Sequence, residues 1–219
     1  MPLPPGEPNT PEAVSAWVSE QARVRDAFAH VYAASEEHRQ RHGASCTVYP
    51  TGSGPVLGTL VAATGAKRIL EVGCGLGYSA LWLAFSSSPD GLVDTIEQDS
   101  NHTHLARNNF QDLGYGQRIT VHAGRGAEVL PRLAGPYDFI FCDGDLDEYL
   151  ADLEHFVRLL RPGGLLVTSN LFLGQYAPDI PGLDQAAAYR LSILDDERLL
   201  TAFLPGGMAL SVRIQNRSS

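Results

Sequence analysis

Short apolar runs alternate along this chain with longer stretches whose apolar positions recur at helical spacing. Arg68–Val72, Leu92–Ile96, Ile119–His122, Tyr137–Cys142 and Leu165–Thr168 are compact runs rich in Val, Ile, Leu and Phe. Such near-continuous runs mark strands buried on both faces of a sheet. Tyr78–Phe85, Ser100–Leu113, Ala127–Leu133 and Leu146–Leu160 fall between them and predict helices. Strand and helix in alternation predict βαβ units, a parallel sheet and right-handed crossovers. The rhythm changes near the C-terminus. Asp184–Asp196 predicts a helix, then Leu199–Leu204 and Met208–Ile214 predict strands joined by Pro205-Gly206-Gly207. That spacing predicts an antiparallel hairpin. The expectation is an α/β fold with a mostly parallel seven-stranded sheet, helices on both faces and an antiparallel C-terminal hairpin.

The N-terminal part is helical in pattern. Thr10-Pro11-Glu12 supplies an N-cap, a proline at the first helical position and an acid in the first turn. Val14, Trp17, Val18, Val24, Phe28 and Val31 carry the pattern on to about His42, and Gly43 stops it. Gly54–Ala63 predicts a second helix. Residues 1–9, rich in Pro and Gly, read as a loose tail. The rest, 10–219, reads as one domain with a helical extension over about 10–42.

Composition narrows the partners. The chain has 219 residues, of which 44% are apolar and 19% charged, as in a globular protein. Its net charge is −9, which repels phosphate backbones and disfavours nucleic acid. Arg23, Arg25, Arg39 and Arg41 run against that trend, and read as a solvated helix face. Cys46, Cys74 and Cys142 show no metal-ligand spacing and read as reduced thiols of a cytoplasmic protein, two of them in apolar runs. The N-terminus lacks the basic start and apolar core of a signal peptide. No apolar stretch approaches the roughly 20 residues of a membrane span. Asn101-His102-Thr103 is a glycosylation sequon that would matter only in a secreted chain.

The most informative segment is Glu71-Val72-Gly73-Cys74-Gly75-Leu76-Gly77-Tyr78-Ser79, which follows a strand and opens a helix. A doubly wound fold places a nucleotide-like ligand at such a turn. Glycines allow the tight turn and close approach, and the helix N-terminus offers N–H groups to an anion. The dinucleotide fingerprint G-x-G-x-x-G would need glycine at position 78, where Tyr78 stands. The spacing here is G-x-G-x-G, which suits adenosylmethionine, a ligand without a pyrophosphate. Glu97, 20 residues beyond Gly77 at the end of the second strand, is placed to accept from both ribose hydroxyls.

The run Ala66 to Ser79 resembles the nucleotide-binding motif of the catechol and caffeoyl-CoA O-methyltransferase family. The likeness spans roughly residues 44 to 214. Gly124-Arg125-Gly126-Ala127-Glu128-Val129-Leu130-Pro131 resembles the family's loop beside the adenine, and Tyr137–Asp145 its fourth-strand motif. Arg161-Pro162-Gly163-Gly164-Leu165-Leu166-Val167 resembles the turn into its fifth strand. The resemblance implies the Rossmann-like class I methyltransferase fold and an S-adenosyl-L-methionine-dependent enzyme that methylates oxygen on a small phenolic or hydroxylated molecule. It implies a homodimer as well. It assigns Glu71, Gly73 and Ser79 to the methionine end, Glu97 to the ribose, and Gly126 and Ala127 to the adenine, with Gly75 and Gly77 also counted as cofactor-binding. Asp143 stands where the family binds the cofactor amine and a divalent cation, Mg or Ca, with Asn170 as a second metal position.

Two departures bear on the chemistry. Ser169 stands where the family usually has Asp, which leaves Asp143 as the main anionic ligand of a cation that needs several hard oxygens. Leu146 stands where catechol-type enzymes carry a lysine base, and leucine takes no proton. Methyl transfer requires the acceptor oxygen to be aligned with the methyl carbon and deprotonated. Asp143 is the first candidate for that proton, followed by Asp145, His42 and Tyr176, the last in a lid-like loop from Gly174 to Leu183. Trp17 and Phe28 could line a pocket, though aromatic residues on a first helix more often pack in a core or a dimer contact. The competing functions are a tRNA hydroxyuridine methyltransferase, an NAD(P)-dependent oxidoreductase and a non-catalytic cofactor-binding protein.

Overall fold

A computed structural model describes residues 10, 13–14, 16–18, 20, 26–43, 46–50, 52–175 and 177–215. Helices α1 (Ala29–His42) and α2 (Gly54–Thr64) lead into the alternating part. There follow β1 (Arg68–Val72), α3 (Tyr78–Ser86), β2 (Leu92–Glu97), α4 (Ser100–Asp112), β3 (Ile119–Ala123) and the short α5 (Gly126–Val129). The chain continues through β4 (Tyr137–Cys142), α6 (Tyr149–Leu159), β5 (Leu160–Thr168), α7 (Leu183–Asp195), β6 (Leu199–Leu204) and β7 (Met208–Arg213).

The seven strands form one sheet in the order β3-β2-β1-β4-β5-β7-β6. β1 to β5 pair in parallel. β7 is antiparallel to both of its neighbours, so the hairpin slots its second strand between β5 and β6. The expected mostly parallel sheet with an antiparallel C-terminal hairpin is therefore the one observed. Why the strand runs are apolar throughout is plain from their two faces. Ile69, Phe139, Phe141 and Val167 join one core with residues of α1 to α4, including Leu57, Leu81 and Phe110. Leu70, Val72, Ile140 and Leu166 join the other with Leu153 and Phe156 of α6 and Tyr189 and Ile193 of α7. Each fully buried Leu, Ile or Phe among these contributes on the order of 1.5–3 kcal/mol. No helix among the described residues is long and apolar enough to cross a membrane.

The N-terminal pattern needs one correction. Thr10 does cap: its Oγ1 accepts from Ala13 N at 3.1 Å. The single long helix to His42 is interrupted, however, by a turn over residues 26–28, and α1 starts afresh at Ala29. The cause is Asp26. Its carboxylate accepts from Phe28 N at 2.8 Å, from the Tyr78 hydroxyl at 2.6 Å and from Trp82 Nε1 at 3.1 Å. Those tertiary partners on α3 hold the side chain in a local turn that competes with helix. Pro11, Glu12, Arg23, Val24, Arg25 and the tail 1–9 lie outside the described residues.

At the opposite end of the strands from the glycine turn, Asp138 ties three segments together. Its Oδ2 accepts from Lys67 N and Arg68 N, each at 2.8 Å, and its Oδ1 from Arg161 Nε at 2.6 Å. Burial works against the charge, but these donors outweigh it and hold the carboxyl below its usual pKa. Asp138→Ala leaves two backbone donors and a guanidinium without their acceptor. It is expected to cost about 1–3 kcal/mol, read as a lower urea midpoint at unchanged slope.

Candidate active site

The ligand-facing groups gather at the C-terminal ends of β1, β2 and β4. β1 and β4 pair in register as far as Val72 and Cys142. Beyond that point the turn from Gly73 to Gly77 lies against the backbone leaving β4. A Cβ on Gly73 would stand 2.4 Å from the Asp143 carbonyl oxygen, and its φ is +95°. Both facts require glycine. Gly77 is restricted in the same way, with φ +93° and the Phe110 ring 2.4 Å from where a Cβ would lie. Gly75 has Val48 as its neighbour, at 3.6 Å. The turn is braced by Gly73 N and Cys74 N, which both donate to Ile96 O, at 3.0 and 3.2 Å. α3 follows at once with no side-chain cap, so its first N–H groups, Ser79 among them, remain for an anion.

Three carboxylates surround this turn. Glu71 is wholly buried on β1. Thr95 Oγ1 donates to its Oε2 at 2.5 Å, while Oε1 has no hydrogen-bond partner. Burial pushes the Glu71 carboxyl up to about 8, against the hydroxyls of Ser79 and Thr95, and the charges of Asp143 and Glu97 add to the rise. Glu97 closes β2. Its Oε2 accepts from Gly75 N at 2.7 Å and its Oε1 from Asp99 N at 2.8 Å. Asp143 follows β4, and its Oδ1 accepts from the Ser169 hydroxyl and from Asn170 Nδ2. Burial pushes Asp143 up to about 7 despite those two donors. Among the described residues no lysine or arginine forms an ion pair with any of the three. Neighbouring acids in a low-dielectric crevice without such a counter-ion make it a place that favours positive charge.

A second group forms the rim. Gly126, buried at the start of α5, leaves room that a Cβ would lose, since Asp152 Oδ2 would be 2.6 Å away. Ala127 beside it is exposed. Arg125 Nε donates to Glu148 Oε1 at 2.6 Å, and Gln98 Nε2 donates to Asp145 Oδ2 at 2.8 Å. Those bonds link the segments after β2, β3 and β4.

The match to a family model described as O-methyltransferase covers residues 30–214. The chain belongs to the O-methyltransferase family. A protein of Mycobacterium sp. (strain JLS), named an O-methyltransferase by inference, is 37% identical over 94% of this chain and 93% of its own. The crystal structure of the O-methyltransferase from Bacillus cereus in complex with SAH is 27% identical. It covers 92% of this chain and 97% of that one, with a TM-score of 0.74. For the fold alone, the SAH-bound methyltransferase PaMTH1 of Podospora anserina superposes with a TM-score of 0.80 at 22% identity, over 97% of this chain and 100% of that one.

Within this O-methyltransferase family chain the expected residues fall into one neighbourhood with few exceptions. Glu71, Gly73, Gly75, Gly77, Ser79, Glu97 and Asp143 meet at the turn, and Ser169 and Asn170 lie directly on Asp143. Asn170 has φ +62°, the one non-glycine residue described with positive φ. Leu146 is buried and packs under Gly182, so the position of the family lysine is sealed against the segment leading into α7. Phe28 is core, edge-to-face with Trp82, Phe85 and Tyr115, whereas Trp17 is half exposed. His42 is exposed at the end of α1, and Tyr176 lies outside the described residues. Arg39 is not a free surface charge, since its guanidinium lies 4.5 Å over the Tyr49 ring.

Reading the sequence missed Asp152. It is buried on α6 and pushed up to about 7 by burial and by Glu148, with Arg125 opposing. Its signal was present: Tyr149, Asp152, Leu153 and Phe156 occupy one helical face, and Asp152 is the acid on the buried side.

A carboxyl whose folded pKa lies above its unfolded value stabilises the fold most in acid, and that contribution is lost as pH rises toward the folded pKa. For Glu71 the window runs from its ordinary 4.5 to about 8. The melting temperature of the ligand-free protein is therefore expected to fall across that range. Glu71→Gln is expected to flatten the fall, as read by differential scanning calorimetry at a series of pH values.

Proposed function

We propose that this chain binds S-adenosylmethionine at the turn Gly73–Gly77 and transfers its methyl group to an oxygen of a small hydroxylated molecule, a phenol in the first instance. The observation that carries the reading is the set Glu71, Glu97 and Asp143, three carboxylates with no lysine or arginine partner among the described residues, around a glycine turn that leads into an uncapped helix. A ligand with a sulfonium and an ammonium supplies the missing positive charge, and its carboxylate suits the first N–H groups of α3. Glu97 takes the ribose, Ser79 the methionine end, and Gly126 and Ala127 border the adenine.

The sulfonium provides an electrophilic methyl, so the protein has three tasks: to align the acceptor within about 3–3.5 Å of it, to exclude water, and to accept the acceptor's proton. Asp143 is the group we assign to the proton, with Ser169 and Asn170 orienting its carboxylate. A phenol ionises with a pKa near ~10, and a carboxyl raised toward neutrality is a better partner for it than an ordinary aspartate. Magnesium or calcium at Asp143 and Asn170 does not fit the residues present. Asp143 Oδ1 is engaged by the Ser169 hydroxyl and by the nitrogen of the Asn170 amide, and one carboxylate beside two neutral groups falls short of the donor set such ions need.

Net charge −9 and the seating of Arg39 on Tyr49 favour a small acceptor over tRNA. We infer a homodimer from the family resemblance, and a cytoplasmic location from cysteines that are all free thiols.

The test is titration calorimetry with S-adenosylmethionine and S-adenosylhomocysteine, followed by labelled-methyl transfer to a phenol panel and to bulk tRNA. Binding of both ligands, its loss in Glu97→Ala, and label in a phenol are expected. Absence of heat with either ligand would overturn the reading, and binding without turnover on any acceptor would leave a cofactor-binding protein. Asp143→Asn is expected to lower kcat by about 10²–10⁴-fold, and EDTA to leave the rate of the unmodified enzyme within about twofold.

A further inference from the structure

Outside the crevice, on the far side of Glu97, three side chains from separate segments converge. His38 comes from the buried face of α1, Cys46 from the segment after it, and His102 from the first turn of α4. They are 7%, 3% and 5% exposed. One donor atom of each lies within 4.8 Å of the others. The His38 and His102 rings are 5.1 Å apart, centroid to centroid. His102 Nδ1 is buried and has no hydrogen-bond partner. A buried imidazole nitrogen left in that state is costly unless something takes its lone pair or its proton. Glu97 Oε1 and Asp99 Oδ1 stand 3.7 and 4.0 Å from it, too far to bond well but close enough to favour a cation in the cluster.

The donor chemistry is selective. Two imidazoles and a thiol are borderline-to-soft ligands, suited to zinc and its neighbours and unsuited to magnesium or calcium. Packing supports a fixed geometry, since Cys46 sits in a small apolar cluster with Val48 and Leu76. His42 follows His38 by one turn, its ring exposed and 4.4 Å from that of His38.

We propose that His38, Cys46 and His102 form a binding site for one zinc-class divalent metal ion, which pins α1 and the segment after it to the start of α4. On binding, the Cys46 thiol releases its proton to solvent and coordinates as thiolate, while both imidazoles coordinate as neutral ligands. The site is separate from Asp143 and Asn170, and its occupancy is independent of the reaction assigned to them. The ion would join the neighbouring His38 and Cys46 to His102, which is far from both in sequence.

Cobalt(II) is the direct probe. The full-length protein, stripped with EDTA and dialysed, is titrated with Co²⁺ and then with Zn²⁺. Expected are one equivalent of Co²⁺ bound, a thiolate-to-cobalt charge-transfer band in the near ultraviolet, and its loss on adding one equivalent of Zn²⁺. Cys46→Ser, a near-isosteric change, is expected to abolish the band, and His102→Asn to weaken Zn²⁺ binding by more than about tenfold. Zn²⁺ is expected to raise the melting temperature of the parent protein and not that of Cys46→Ser. Failure of the parent to take up either ion at micromolar concentration, or persistence of the band in a folded Cys46→Ser protein, overturns the proposal. If His102→Asn does not fold, Cys46→Ser alone decides.

Discussion

Between Gly73 and Asp143 two stretches of backbone run in contact with no side chain between them. The Asp143 carbonyl occupies the space a Cβ would need at residue 73. This contact joins the turn after β1 to the chain leaving β4, at the one place where the strand order reverses direction about β1. Ligands of doubly wound sheets bind at such a point because the chains on either side diverge and leave a crevice. Everything chemical in the molecule hangs from that closeness. It brings Asp143 near enough to Glu71 for its charge to add to the rise of the Glu71 carboxyl.

The electrostatic character of the crevice follows from what is missing as much as from what is present. Compared with the pattern of catechol-type enzymes, the chain lacks one acid, replaced by Ser169, and one base, replaced by Leu146. The two changes cancel in net charge. They also belong together physically. Ser169 donates to Asp143, which a second carboxylate at that position would repel. Leu146, freed from carrying a proton, packs beneath Gly182. What remains is a crevice whose polarity is set by buried acids and backbone dipoles.

The N-terminal segment is tied to this machinery through side chains rather than through the sheet. Asp26 accepts from Tyr78 and Trp82 on α3, and Arg39 stacks on Tyr49. Val48 lies against Gly75, and the His38, Cys46 and His102 cluster backs onto Glu97. The middle of the glycine turn and the helix it opens are therefore in contact with residues that precede the first strand. Phe28 and Val31 anchor the same segment in the main core beside α3.

Strand positions, the glycine turn and Glu97 were legible in the sequence because each depends on local rules. A strand buried on both faces must be apolar at nearly every position, a turn with positive φ needs glycine, and an acid at a strand end needs only a count of residues. The antiparallel hairpin was legible too, from two strands joined by Pro205-Gly206-Gly207. The insertion of β7 between β5 and β6 was not, since strand order depends on pairing across the sheet. Tertiary packing alone decided the break at Asp26, the burial of Asp152 beside Gly126, the sealing of Leu146 and the meeting of His38, Cys46 and His102. In each case at least one partner lies far along the chain from the others, and whether it meets them is set by the face of the sheet on which each helix packs, a choice that no local pattern encodes.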